Sequence, residues 1–125
     1  GYMIAHGATT IWELWNGNTA NPAMNSGNHV MLLGDLLQWF FKDLGGIQNE
    51  QPAYKVIRFR PDFSIEGLEY VKTSYRSLYG TIVSNYRHDG GRVVWDIEVP
   101  CNTQAIVCLP HRDRQVGSGK HHFEF

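Results

Sequence analysis

The chain has 125 residues, of which 42% are hydrophobic and 18% are charged. This balance is typical of a globular domain and excludes collagen-like and intrinsically disordered classes. Eleven Lys and Arg oppose 12 Asp and Glu, a formal net charge of -1, so we expect neither nucleic acid nor a membrane surface as a partner. A small, neutral ligand is predicted instead.

Near the start of the chain, Glu13 lies between Trp12 and Trp15. A carboxylate beside indole rings is typical of sugar sites, because an apolar pyranose face stacks on an aromatic plane while the glycosidic oxygen needs proton transfer. Glycoside hydrolysis ordinarily requires a second carboxyl group across the scissile bond, and the pattern identifies none. From spacing alone, a Glu beside two Trp is more often a surface acid than a catalyst, and the two tryptophans fit the core equally well.

A polar loop over residues 16–29 leads into a predicted helix over residues 26–44, with Ser26 as its cap and Gly45 after its end. Its apolar residues extend almost all the way round, so the helix requires neighbours on most sides, as in a helical barrel or bundle. His29 is expected in its first turn, where the helix dipole favours a neutral imidazole.

After a joint at residues 48–52 the pattern changes to strands with alternating apolar residues, as in 92–99, where Trp95 points inward. A polar loop is predicted over residues 111–119. The pattern indicates an antiparallel β-sandwich, with strands predicted at 55–60, 68–75, 81–87, 92–99 and 104–109 and a closing strand ending at Phe125.

Metal and cofactor sites are not expected. His121 and His122 are neighbours on a strand and point to opposite faces, so they do not form a chelating pair. Cys101 and Cys108 are predicted to be unpaired structural thiols. The first seven residues lack the pattern of a signal peptide, and the compartment stays open between cytoplasm, periplasm and secretion.

Two groups of residues resemble one enzyme family. Residues 7–15, followed by 24–29, closely resemble the last active-site segment of bacterial α-L-rhamnosidases of glycoside hydrolase family 78. The later half is similar to that family's C-terminal β-sandwich at residues 54–57, 71–80, 100–103 and 116–119. The resemblance covers essentially the whole chain.

The resemblance implies a mainly β fold, in which a helical remnant of an (α/α)6 barrel precedes a β-sandwich. Residues 1–47 would be the C-terminal end of the catalytic barrel and residues 53–125 the accessory sandwich. It also implies an inverting hydrolase that releases terminal L-rhamnose from rhamnosides, with Glu13 as general base. His29 would contact rhamnose, and Trp12 and Trp15 would lie near the pocket.

Two departures from the family pattern, Leu14 and Asn16, affect the surroundings of Glu13 rather than the base itself. The family's general acid lies far upstream, so the resemblance implies that this chain is inactive without an upstream barrel. The implied partners are that barrel and a rhamnose-containing glycoside. The apolar helix could also pack on the sandwich or on a second copy of the chain.

A different class stays open, in which a β-sandwich binds carbohydrate without catalysis. It would use exposed aromatic residues, although we expect these side chains to fill the core. The candidates are Tyr70, Tyr75, Tyr79, Tyr86 and Trp95.

Overall fold

The computed structural model describes residues 1–125, which divide into two compact units, residues 1–38 and residues 39–125. The first unit contains helix α1 (Tyr2–Ala5) and most of helix α2 (Leu32–Trp39). The second contains a π-helical turn (Phe40–Leu44), a short 3-10 turn (Pro52–Tyr54) and eight strands. No helix of the chain has the length and apolarity needed to cross a lipid bilayer.

The helix predicted over residues 26–44 is shorter and begins later. Regular α-helix starts at Leu32, and the capping prediction for Ser26 is wrong. The Ser26 hydroxyl instead accepts a hydrogen bond from the Asn28 backbone N–H at 3.0 Å. Such local bonds from serine offer the backbone an alternative to helix, which explains the late start. The predicted end at Gly45 is confirmed, and its N–H donates to the Phe40 carbonyl at 2.8 Å.

Helix α2 and the π-helical turn bury none of their side chains. The apolar side chains of this helix are exposed instead. Large side chains that are at least 40% exposed follow one another along it: Leu32, Leu33, Leu36, Leu37, Trp39, Phe40 and Phe41.

The predicted mainly β sandwich is confirmed. One four-stranded sheet has the order β1-β2-β6-β7 and the other β3-β4-β5-β8. All neighbours pair antiparallel except β2 and β6, which are parallel. The strands are β1 (Ile47–Asn49), β2 (Val56–Phe59), β3 (Tyr70–Ser77), β4 (Gly80–Asp89), β5 (Arg92–Val99), β6 (Gln104–Leu109), β7 (Arg112–Val116) and β8 (Gly119–Glu124).

Two strands depart from the prediction. Strand β1 has three residues, too few for an alternating pattern to be visible. Strand β7 occupies the predicted loop over residues 111–119, and that prediction is wrong. Its side chains from Arg112 to Gln115 are all exposed, because β7 is an edge strand held by backbone bonds to β6.

The core lies between the two sheets and is centred on Trp95, whose side chain is completely buried. Its indole N–H donates to the Ser84 hydroxyl at 3.1 Å, and Ser84 is also completely buried. The predicted inward set of β5 is confirmed, since Val93, Trp95, Ile97 and Val99 all belong to the core. The expectation that the listed tyrosines fill the core holds for Tyr86 but is wrong for the other three, which are exposed by 60%, 39% and 37%: Tyr70, Tyr75 and Tyr79.

Candidate functional site

Glu13 and His29 are brought together by two backbone segments that lie side by side. The Glu13 N–H donates to the Ser26 carbonyl at 3.0 Å, and the His29 N–H donates to the Ile11 carbonyl at 2.7 Å. The polar loop between these segments therefore returns to its starting point and places His29 beside the acid.

The Glu13 carboxylate has one fixed oxygen and one free oxygen. Oε2 accepts a hydrogen bond from the Ser26 backbone N–H at 2.8 Å and lies 3.7 Å from Nδ1 of His29. No hydrogen bond within the chain engages Oε1. Because the side chain is 38% exposed, Oε1 is open to water while the backbone amide fixes the direction of the group.

His29 carries a buried ring nitrogen without a partner. Its Nδ1 atom makes no hydrogen bond, and the 3.7 Å separation from Glu13 Oε2 is too long for one. An unpaired buried polar atom is costly, so a small approach of the two side chains is favoured. His29 precedes the first residue of α2, so its predicted place in the first helical turn is wrong and the dipole argument does not apply.

The two tryptophans have different surroundings. Trp12 is 9% exposed and rests on Gly17, where an added Cβ would lie 2.7 Å from the indole ring. Trp15 is 79% exposed. The spacing of the two tryptophans does not predict which indole faces solvent. In the structure it is the indole of Trp15.

The contribution of Ser26 could not be found from the sequence. Its part at the site is a backbone N–H, which every residue except proline carries, so no residue type marks it. A hydrogen bond between two side chains lies nearby, in which the Thr10 hydroxyl donates to the Asn28 side-chain oxygen at 3.1 Å. Both contacts tie the first segment to the end of the polar loop.

Residues 1–38 contain one further carboxylate, Asp35, which lies in the first turn of α2 and suits the positive end of the helix dipole. No carboxylate pairs with Glu13. The structure contains no group of three or more His, Cys, Asp or Glu residues placed to hold a metal ion. Cys101 and Cys108 are unpaired, as predicted.

Comparison with protein families assigns both parts of the chain to one class of enzyme. The model described as the bacterial alpha-L-rhamnosidase C-terminal domain matches residues 46–124. The model described as the bacterial alpha-L-rhamnosidase 6 hairpin glycosidase domain matches residues 1–44. The first of these alone covers more than half of the chain.

Individual relatives agree with the family models. An α-L-rhamnosidase of Streptomyces avermitilis is 31% identical over 98% of this chain, and one of Formosa agariphila is 32% identical over 87%. The chain spans 14% and 12% of the length of these relatives.

Solved structures give the same result. The S. avermitilis α-L-rhamnosidase complexed with L-rhamnose is similar over 100% of this chain and 14% of its own, at a TM-score of 0.82 and 28% identity. The α-L-rhamnosidase of Aspergillus terreus is similar over 98% of this chain and 15% of its own, at a TM-score of 0.82 and 30% identity. The chain therefore belongs to the bacterial α-L-rhamnosidase family.

Proposed function

We propose that this chain supplies the general base, Glu13, of an α-L-rhamnosidase whose remaining active-site groups lie in a longer protein. The observation that carries the proposal is the state of the Glu13 carboxylate. One oxygen is fixed by the Ser26 amide, while the other accepts no hydrogen bond within the chain, on a side chain that is 38% exposed. A base for water activation needs this combination of fixed direction and free lone pair.

In this proposal the reaction inverts the anomeric centre. Glu13 takes a proton from water as the water oxygen attacks the anomeric carbon, and a general acid protonates the leaving glycosidic oxygen. The products are free L-rhamnose and the alcohol that carried it. An inverting pair stands about 6.5–9.5 Å apart to leave room for the water. Since no carboxylate of this chain pairs with Glu13, the acid would come from an upstream catalytic barrel.

His29 and Trp15 are proposed to hold the sugar. If Nδ1 of His29 carries the proton, it can donate to Glu13 Oε2 after a small approach, which leaves Nε2 to accept from a sugar hydroxyl. Trp15 presents an exposed indole on which a sugar ring can stack. Trp12 is proposed to lie near the sugar pocket, where its buried indole packs within the loop.

We also propose that residues 1–47 complete the barrel and that residues 53–125 form the accessory sandwich. The upstream barrel would then cover the exposed apolar side chains of α2. Soluble proteins rarely expose a large continuous apolar patch, so these side chains require a cover. In the isolated chain, a second copy could cover the same side chains by forming a dimer. Light scattering of the isolated chain distinguishes a monomer from that dimer.

The test is a chimera in which this chain replaces the matching C-terminal segment of the S. avermitilis α-L-rhamnosidase. With a chromogenic α-L-rhamnoside, Glu13→Gln is expected to lower kcat by about 10²–10⁴-fold, the usual contribution of a general base. The isolated chain is expected to show no turnover. Proton NMR of the first-formed rhamnose identifies whether the anomeric configuration is inverted.

Asp35→Asn is the matched control, because it also removes one carboxylate charge from residues 1–38 but at a helix terminus. We expect it to leave kcat unchanged. Equal losses in the two variants, or full turnover by Glu13→Gln, would refute the assignment of the base. Turnover by the isolated chain would refute the proposal that the general acid lies elsewhere.

A further inference from the structure

The sheet β3-β4-β5-β8 has an outer face, directed away from the sandwich core, that is not used in any step proposed above. Because side chains alternate along a strand, residues next to the buried Tyr86 and Trp95 point to this face. They are aligned across the strands, with Tyr70 opposite Arg87, Asn85 opposite both Lys72 and Asp96, and Asp96 opposite His122.

This outer face is hollow. One depression of about 480 Å³ is lined by residues of β3, β4 and β5, and a second of about 310 Å³ is lined by residues of β4, β5 and β8. Both include Asn85 and Asp96, so the two depressions are neighbours that together extend across four strands, and we call them the groove. Four adjacent strands span about 14 Å, which is long enough for several sugar rings. Val94 points outward yet is only 3% exposed, so it lies beneath the other side chains that line this depression.

Tyr70 provides an aromatic plane at one end of the groove. Its side chain is 60% exposed, and its position on β3 places it outside the core. The Lys72 ammonium lies over one face of the ring, 5.7 Å from its centre, which leaves the opposite face for stacking. An exposed aromatic next to polar groups is a surface on which the apolar face of a sugar can stack.

The charges that line the groove cancel. His88, His121 and His122 also line the groove. With histidine counted as neutral, three cations balance three anions, so the groove suits an uncharged ligand better than a polyanion. The lining charges are Lys72, Arg87, Lys120, Glu69, Asp96 and Glu98.

The polar side chains at the centre are already held in place. The Asn85 side-chain oxygen accepts from the Thr73 backbone N–H at 3.2 Å, which leaves its NH₂ group free. One oxygen of Asp96 contacts Nδ1 of His122 at 2.7 Å, which leaves the second oxygen free. A donor and an acceptor on facing residues match the donor and acceptor capacity of neighbouring sugar hydroxyls.

We propose that this groove is a second glycan-binding site, which holds a neutral oligosaccharide by stacking on Tyr70 and by hydrogen bonds to Asn85 and Asp96. The site is independent of Glu13 and of hydrolysis. It gives the accessory sandwich a role in retaining a hydroxyl-rich, uncharged polymer near the enzyme.

The test is titration of the isotope-labelled 125-residue chain with neutral tetrasaccharides built from L-rhamnose, D-galactose, D-xylose or D-glucose, followed by backbone NMR. At least one of the four is expected to give saturable shifts on β3, β4 and β5. A tetragalacturonic acid is expected to give none. Shifts confined to residues 1–38, or no shifts with any of the four neutral sugars, would overturn the proposal.

Variants separate this groove from the catalytic site and from general loss of fold. Tyr70→Ala is expected to weaken binding about tenfold, whereas Tyr70→Phe, which keeps the ring, leaves it nearly unchanged. Tyr79→Ala is the matched control, since Tyr79 is an exposed tyrosine outside the groove. Glu13→Gln leaves groove binding intact even if it abolishes turnover in the chimera. Equal effects of Tyr70→Ala and Tyr79→Ala in folded chains would refute stacking on Tyr70.

Discussion

Removal of the Ser84 hydroxyl should destabilise the sandwich far more than its small size suggests. Ser84 and Trp95 are both completely buried, and the indole N–H donates to the hydroxyl at 3.1 Å. In Ser84→Ala the indole N–H keeps its buried position but loses its acceptor. A buried polar group left unpaired costs about 1–3 kcal/mol.

The assay is urea denaturation followed by far-ultraviolet circular dichroism, which reports the strands without relying on tryptophan. Ser84→Ala is expected to lower the free energy of unfolding by about 1–3 kcal/mol. For a domain of this size, each kcal/mol corresponds to a fall in Tm of about 4–8 °C. Ser74→Ala on β3 is the matched control, because its side chain is exposed, and its effect should stay within about 0.5 kcal/mol.

A double-mutant cycle shows whether the loss comes from this hydrogen bond. Trp95→Phe removes the donor and leaves a gap in the core, so it is destabilising by itself, by about 2 kcal/mol or more. In that background there is no indole N–H to lose its acceptor, so Ser84→Ala should leave the free energy of unfolding nearly unchanged. A coupling of about 1–2 kcal/mol is expected. If Ser84→Ala costs the same in both backgrounds, or no more than Ser74→Ala, the reasoning from the buried N–H is refuted.

Two further predictions concern the site loop and the outer sheet face. Gly17→Ala places a Cβ against the Trp12 indole, so it should lower the stability of the chimera by about 1–3 kcal/mol and reduce its turnover. The control is Gly27→Ala, whose added Cβ meets open space. It should change neither the thermal stability nor the rate in the same assays. Asp96 is the main cause that raises the pKa of His122, so Asp96→Asn should lower that pKa in an NMR titration of the imidazole. Because the folded pKa is raised, the contact stabilises the fold below the ordinary pKa of about 6.5 and is lost as pH rises through the raised value. An unchanged His122 pKa would exclude this contact in solution.

The sandwich was largely predictable because its signals are local. The alternation of β5 determines which side chains enter the core, and the turn at Gly90 and Gly91 joins it to β4 through two residues with positive φ, as a tight hairpin requires. Strand β7 was missed because an exposed edge strand is held by backbone bonds, which leave no hydrophobic pattern in the sequence.

The candidate site was predictable only in part. The resemblance identified Glu13 and His29 as site residues. In the structure, Oε2 of Glu13 lies 3.7 Å from Nδ1 of His29. The catalytic and binding roles of the two residues stay predictions. The contact that fixes Glu13 comes from a backbone amide 13 residues away, and its formation depends on how the polar loop closes. No residue type marks such a contact, so sequence reasoning assigned Ser26 to a helix cap instead.

The two units differ in what holds their residues in place, and this difference bears on how the site works. The sandwich has a continuous buried core centred on Trp95, whereas residues 1–38 bury only Trp12. The position of Glu13 therefore rests on a few hydrogen bonds near solvent, each worth about 1 kcal/mol net. These bonds set the direction of the carboxylate, and packing around it would narrow its remaining motion, which the proposed water activation requires. Under the proposed function, one upstream domain would supply that packing, the general acid and the cover of α2.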